Sequence, residues 1–382
     1  MINRKRLATL LFVLTLFLAA GHAQSAGNAS QSTPAKPAAS QTLVSPGQPA
    51  HKKNAGDALL SRIQFVTMDG ITHFRYMDSG PGHVTARDEY YKVSTRMQIN
   101  LLGDGTTYLQ LRGESGRSFS SSYDYTGIGL HDRYWSYNLK SLFLGQKIGK
   151  HLEAQAGGVE FDRGAGSEAT YADNDGYLEG YRLVYSEKGH KALPEKLSVT
   201  VGYIGDFLQP NFFARASRLG QENYIQVLGQ KKLGENRDFS AEYTSIQAIR
   251  YTREAFHWQK FPTPVVNDFT AEAITRASDN PTFGWYSSLG RKFQAKVPVM
   301  AGVFYSDMPK GMFYSGPTQI FINGDRYAPG KRIGPTFTVT PVKNFDVMVW
   351  GGRRLDNTAG TRNRGEIAVR YQLASLFNRV LR

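Results

Sequence analysis

Residues 91–101 read YKVSTRMQINL. Tyr91, Val93, Thr95, Met97, Ile99 and Leu101 fall on one side, and Lys92, Ser94, Arg96, Gln98 and Asn100 on the other. Strict alternation over such a length is a β-strand with one apolar and one polar face, because successive side chains of a strand point opposite ways. Gly103-Asp104-Gly105 then turns the chain. It returns with Thr107, Leu109 and Leu111 alternating against Tyr108, Gln110, Arg112 and Glu114.

The pattern recurs at 197–203, 333–340 and 365–373, where Glu366 and Arg370 share the polar side. Weaker copies fall near 71–78, 133–147, 151–161, 177–187, 223–231, 237–249, 283–292, 295–305 and 345–355. These tracts run to roughly 9–14 residues, whereas strands of soluble domains average about 5–6. A strand that crosses a bilayer at a tilt needs about 9–11. Connections alternate between short turns and longer polar stretches, the latter including 79–89, 116–132, 162–176, 207–222, 250–282, 306–332 and 356–362. The expectation is an all-β, transmembrane antiparallel β-barrel over 61–373, with about 14 strands and short turns at one rim. Sixteen is the alternative, if 263–277 or the segment around 61–68 adds a pair.

Composition agrees with this class. The 382 residues include 21 tyrosines, 22 phenylalanines and 39 glycines, and the mean hydropathy is −0.40. Many aromatics and glycines at modest hydropathy favour strands. With no cysteine, disulfides, thiol catalysis and thiolate metal sites are excluded. The net charge of +14 is spread along the chain, without the run of like charges that a nucleic-acid arm would show.

Arg4, Lys5 and Arg6 precede the apolar run LATLLFVLTLFLAA, and Gly21 and Ala23 supply small residues after it. This is the three-part form of a secretory signal, expected to be cleaved near Ala23. The run falls short of the ~20 residues of a spanning helix. Residues 24–60 are rich in Ala, Ser and Pro and show no hydrophobic period, so they read as a disordered linker.

The near-repeats LGQK (144–147), LGQK (228–231) and LGRK (289–292) each end an apolar tract. They mark strands reaching the short-turn rim, where the chain leaves the sheet and cations meet water. Gly145 and Gly229 fall on the apolar side by parity, and Gly290 is one residue out of phase. Aromatics gather at strand ends: Tyr134, Trp135, Tyr137, Tyr177, Tyr203, Tyr224, Trp285 and Tyr305 towards the long loops, and Phe143, Phe239, Phe293, Phe345 and Tyr371 towards the short turns. Paired aromatic girdles belong to lipid-embedded barrels.

Over residues 61–382 the chain resembles the porin-like outer-membrane β-barrels of Gram-negative bacteria. The resemblance rests on strand pattern and signal, and selects no family within that group. It implies a bacterial outer-membrane location, membrane lipid and small hydrophilic solutes as partners, and a homo-oligomer as a family habit. Such barrels commonly end on an aromatic residue. Here VRYQL is followed by ASLFNRVLR, a tail over 374–382 in which Leu376, Phe377, Val380 and Leu381 have helical spacing.

By parity, Lys92, Arg96, Arg112, Glu114, Lys140, Arg182, Glu242, Asp346, Glu366 and Arg370 are the candidate pore-lining residues. Arg96 and Arg112 face each other if the turn centres on Asp104. Like charges opposite one another destabilise a sheet pair, which calls for water, a counter-charge such as Glu114, or an anionic solute. Glu242 and Glu366, with Asp346 nearer its turn, lie on the far strands, so a basic wall facing an acidic one is expected. Residues 250–280, with Asp268 as a helix cap, and a hairpin at 318–328 read either as loops folded into the pore or as exposed loops.

No catalytic, cofactor or metal signature stands out. Gly-x-Ser-x-Gly, His-Glu-x-x-His and the phosphate loop are absent, and ADNDG at 172–176 lacks the closing glutamate of a calcium loop. The expected function is passive diffusion through a water-filled lumen. An outer-membrane enzyme built around His131 or His257, or a plugged adhesive barrel, is the alternative.

Overall fold

The computed structural model describes residues 62–102, 104–116, 138–169, 177–189, 194–204, 212–247, 249–277, 281–293, 295–310, 312, 324–327, 330–357 and 360–380. Sixteen antiparallel strands close into a barrel in which each strand pairs with its sequence neighbours and the last returns to the first. They are β1 (Ile63–Asp78), β2 (Val84–Asn100), β3 (Thr107–Gly116), β4 (Asn138–Ile148), β5 (Leu152–Glu160), β6 (Tyr177–Ser186), β7 (Lys196–Tyr203) and β8 (Tyr224–Lys232). The second half is β9 (Arg237–Ile246), β10 (Ile249–Gln259), β11 (Asp268–Arg276), β12 (Thr282–Phe293), β13 (Val299–Met308), β14 (Gly330–Val342), β15 (Phe345–Arg354) and β16 (Asn363–Gln372). Three short helices accompany them: α1 (Phe212–Arg215), α2 (Gly324–Tyr327) and α3 (Ala374–Val380).

The strand number is therefore 16 and not 14. The two added strands are β10 and β11, which occupy most of the stretch read as a long loop at 250–282. Asp268 opens β11 opposite Gly290 and caps no helix. Apolar–polar alternation is lost over most of the pair because the outward positions Thr252, Glu254, Ala271, Ala273 and Thr275 are small or polar, and the large apolar ones, Phe256, Trp258 and Phe269, fall only towards the short-turn end. The segment around 61–68 adds no strand of its own and instead lengthens β1. Residues 1–61, with the expected signal and linker, lie outside the described residues, as do Tyr134, Trp135, Tyr137, His131 and 172–176.

The two faces of the sheet differ as a membrane barrel requires. Large apolar side chains remain open on the outside, including Phe74, Leu144, Leu183, Ile225, Phe337 and Ile367. The buried polar and charged groups, among them Ser94, Glu114, Thr200, Gln226 and Glu242, alternate with them on the inside. Burying backbone N–H and C=O groups in a closed ladder leaves no edge to satisfy in lipid. Among the described residues no helix is long and apolar enough to cross a membrane.

All three LGQK-type stretches lie at short-turn ends, in β4, β8 and β12. Gly145, however, points inward, because the Tyr108 ring lies across it and a Cβ there would sit 2.2 Å from that ring. Phe143 and Tyr224 leave the aromatic belts for the interior, at 5% and 1% exposure. Trp285 and Tyr305 stay on the outer face, 4.9 Å apart, and Phe345 meets Tyr371 at 4.7 Å. Pro335, which has no N–H to give, falls where the β14–β15 ladder is interrupted between Ile333 and Thr336.

The tail has a structural task. β1 extends below β16, with which it pairs only from Asp69 onward. The exposed stretch of β1 is covered by α3: Leu373 donates its N–H to Met68 O at 2.7 Å. Asn378 accepts from the Phe65 N–H at 2.9 Å and donates to Phe65 O at 2.8 Å, and Phe377 packs on Phe65. An amide side chain thus stands in for a missing strand along an open edge. Asn378→Ala removes both bonds and is expected to lower barrel stability by about 1–3 kcal/mol. The check is a urea unfolding curve followed by the loss of heat-modifiable migration.

On the outer side, Phe212 of α1 packs on Gly158, and Arg218 lies 5.9 Å from the Tyr203 ring centre. Glu179, opposite Gly158 in the ladder, is 1% exposed, and neither carboxylate oxygen has a hydrogen-bond partner. The β7–β8 connection thus covers the outside of β4–β7.

Candidate functional site: the lumen and its two inward segments

All ten candidate residues occupy inward positions, but they divide into two groups. Glu114, Lys140, Arg182, Glu242 and Glu366 are buried, each at 9% exposure or less. Lys92, Arg96, Arg112, Asp346 and Arg370 keep part of their surface.

Arg96 and Arg112 are direct partners across β2 and β3. Two carboxylates relieve their repulsion. Glu114 pairs with Arg112 and with Lys140 at 3.2 Å, and accepts from Ser94 Oγ at 2.9 Å. Glu160, at the end of β5, pairs with Arg96 and, at 3.3 Å, with Arg112. Glu114 was legible by parity; Glu160 comes from another strand and had no sequence signal. Arg182 donates to Thr200 Oγ1 at 2.8 Å, to Gln155 Oε1 at 3.4 Å and to the Glu160 backbone carbonyl.

The expected acidic wall is not present as such, because each of its members has a local partner. Glu242 is paired with Arg253 of the next strand and accepts from Gln226 at 2.8 Å. Glu366 is paired with Arg364 and, at 2.6 Å, with Arg326. Asp346 accepts from Thr340 Oγ1 at 2.7 Å, and Arg370 pairs with Asp69 at 3.1 Å. Buried carboxylates demand such neutralisation at short range, so the charge alternates within each wall.

The chain between β5 and β6 is the main inward segment. After β5 ends at Glu160 it runs along the inner face of β7 to β11, making polar contact with successive strands. Asp162 takes Lys196 Nζ at 2.7 Å and Ser198 Oγ at 2.5 Å, and its carbonyl accepts from Gln226 at 3.0 Å. Gln230 donates to Arg163 O at 2.9 Å and Ser240 Oγ to Ala165 O at 2.9 Å. The N–H groups of Glu168 and Ala169 then donate to the Glu272 carboxylate, the latter at 2.9 Å. Gly166 has φ +79, and a Cβ there would lie 2.8 Å from His257 Cβ, so only glycine passes that wall.

Asp162 sits in the connection, outside the strands. Burial alone would raise its pKa, but the charges of Arg182 and Lys196 and the bonds from Lys196 and Ser198 together hold its carboxyl below the usual aspartate range.

The opposite wall holds a second segment. Residues 318–328 do not present a hairpin in the part that is described; α2 brings Tyr327 inward instead. Its ring packs on Tyr286 at 5.0 Å, Phe304 at 5.2 Å and Trp350 at 5.8 Å. Ser306 Oγ donates to Tyr327 O at 3.2 Å, and Arg326 lies over Trp350 while bonding Glu366. Aromatic residues on β12, β13 and β15 thus anchor a loop that the sequence left undecided.

His257 faces the lumen near the short-turn rim, 3.2 Å from Asp268, which also binds Lys292 Nζ at 2.6 Å. The Lys292 ammonium shares the carboxylate, and Gly166 lies against the Cβ and backbone of His257, so this pair sits beneath the inward segment. Among the described residues no group of three His, Cys, Asp or Glu side chains could hold a metal ion.

This architecture defines a porin-like β-barrel: closed, sixteen-stranded, apolar outside and charged within, with the β5–β6 connection inside. Comparison with solved structures agrees. Salmonella typhi OmpF, in its complex with daunomycin, matches with a TM-score of 0.50 and 12% identity, over 80% of this chain and 96% of that one. A multiply substituted Rh. blastica porin matches with a TM-score of 0.50 and 11% identity, over 81% of this chain and 99% of that one. At such identities the likeness concerns the fold. No protein-family profile and no curated protein matches the sequence.

Proposed function

We propose that this chain is an outer-membrane channel for passive diffusion of small hydrophilic solutes, exported by its signal with cleavage near Ala23, and not an enzyme. The observation that carries the reading is the β5–β6 segment laid across the inner wall of a barrel whose exterior is apolar. Such a segment narrows a lumen while the polar wall keeps it wet. Residues 24–60 form the linker before the barrel, and the short turns face the periplasm.

The ten inward candidates act as the pore lining in two ways. The five buried ones, Glu114, Lys140, Arg182, Glu242 and Glu366, hold the wall and the inward segments in place. The ones that keep surface, with Lys196, Arg326 and Glu160, meet the solute. In that accessible set cations outnumber carboxylates, which favours anions.

Single-channel recording of the purified mature protein in a planar bilayer, under a salt gradient, tests this. The expected result is steady conductance steps with anion preference. Arg96→Ala is expected to cut the anion-to-cation ratio about twofold, a change of ~0.4 kcal/mol. A correctly folded protein that gives no steps would favour the plugged reading, which two inward segments make concrete.

A further inference from the structure

We propose that the outer face of β8–β12, at the short-turn rim, is a binding site for an anionic phospholipid. The proposal rests on reading the barrel as membrane-spanning with its short turns towards the periplasm, and adds a lipid site to one sector of that rim.

The first observation is where the outward cations fall. Lys231 follows the inward Gln230 on β8, Arg237 precedes the inward Asp238 on β9, and Arg291 precedes the inward Lys292 on β12, so all three point outward. Among the described strands no other outward position at a short-turn end carries a cation. Those positions hold residues such as Ile99, Ile148, Leu152, Val299, Phe345 and Tyr371. Other cations at these strand ends, such as Lys196 and Lys292, turn inward to Asp162 and Asp268.

The second observation is the aromatic floor beneath them. Arg237 pairs with Trp258 in the ladder, and its guanidinium lies over that ring, 4.2 Å from the centre. Lys231 is paired with Phe239, and Phe239 with Phe256. Phe261 packs on Trp258 at 4.9 Å and on Phe269 at 5.5 Å. Arg291 lies over Phe293 at 5.3 Å and donates to the Pro264 carbonyl of the β10–β11 connection. Aromatic rings settle at the headgroup level of a bilayer, which puts these cations at the depth of the phosphates. A guanidinium held over a ring by its face still offers its edge N–H groups to a phosphate.

The third observation selects the occupant. Among the described residues no carboxylate pairs with Arg237 or Arg291. The one outward carboxylate on β8–β12 is Glu254, four positions from Trp258 on β10, about 13 Å along the strand. Glu235 sits out on the β8–β9 turn. The sector therefore presents net positive charge to the headgroup layer, which attracts anionic lipid. A second copy of this chain in the same orientation would bring the same cations to the same depth and be repelled. A phosphodiester brings the opposite charge there, and its acyl chains meet the rings.

The test uses the full mature protein extracted from membranes in mild detergent, titrated with phosphatidylglycerol and read by native mass spectrometry. Phosphatidylcholine with the same acyl chains is the comparison. Phosphatidylglycerol is expected to bind more tightly. Arg237→Gln and Arg291→Gln are each expected to weaken it about fivefold, and together roughly twenty-five-fold. Lys150→Gln, on the exposed β4–β5 turn, is expected to change nothing. Heat-modifiable migration reports folding of each variant. Equal binding of the two lipids overturns the proposal, as does a double variant that binds like the wild type or a loss that Lys150→Gln reproduces. Displacement of the lipid by inorganic phosphate at matched concentration also overturns it, because the site would then read free phosphate. Absence of the wild type from the membrane fraction would remove the membrane reading along with the proposal, whereas equal lipid binding by a membrane-extracted barrel removes the proposal alone.

Discussion

Arg253→Met is expected to lower the unfolding free energy of the barrel by about 3–5 kcal/mol. Arg253 and Glu242 are an ion pair within the wall, with side-chain exposures of 7% and 6%. Removing the guanidinium leaves Glu242 buried with hydrogen bonds from Gln226 and Thr244 but no paired charge. The paired substitution, Arg253→Met with Glu242→Leu, is expected to recover most of the loss, since an apolar pair of similar volume carries no desolvation cost. Urea unfolding of the reconstituted protein measures both. Equal destabilisation by the single and the double variant would show that the pair's packing matters and its charge does not.

Glu272→Ala is expected to free the inward segment and leave the barrel standing. The Glu272 carboxylate accepts from two successive backbone N–H groups, those of Glu168 and Ala169. Each buried donor left without an acceptor costs about 1–3 kcal/mol. Losing both shifts the docked–undocked balance by roughly a thousandfold at the middle of that range. The readout is single-channel recording: larger or noisier steps, with an unchanged unfolding midpoint. Unaltered conductance would mean that the contacts from Asp162 to Ala165 suffice to hold the segment.

Acid acts on the same segment from its other end. Asp162 has its pKa depressed in the folded state, so its contribution is complete above the unfolded value near 3.9 and fades as pH falls below it. Docking is therefore expected to be level from neutral pH down to about 4, and to loosen only under stronger acid.

The residues differ in how much of this they announce. YKVSTRMQINL was transparent because one of its faces meets lipid and the other water, and period-two alternation follows from that contrast. The strands from 249 to 276 were opaque because their outer face lacks the contrast, with Glu254, Ala271 and Ala273 where Leu or Val would reveal a strand. Gly145 shows a subtler limit. Its parity depends on a register shift between Arg112 and Gly113 that no local pattern records.

Alternation and length in the sequence by themselves determined a barrel of long antiparallel strands, which face of most strands turns inward, and the inward parity of ten of its charged residues. These are local properties: each strand's two faces respond to the solvent they meet, residue by residue. Only the tertiary structure decided the partners. Glu160 reaches Arg96 and Arg112 from another strand, Glu272 catches the N–H of Ala169 across 103 positions, and Arg326 and Tyr327 enter from a distant loop. Closing the sheet sets those distances, and charge buried inside it must find its neutraliser within a few ångströms, wherever in the chain that group lies.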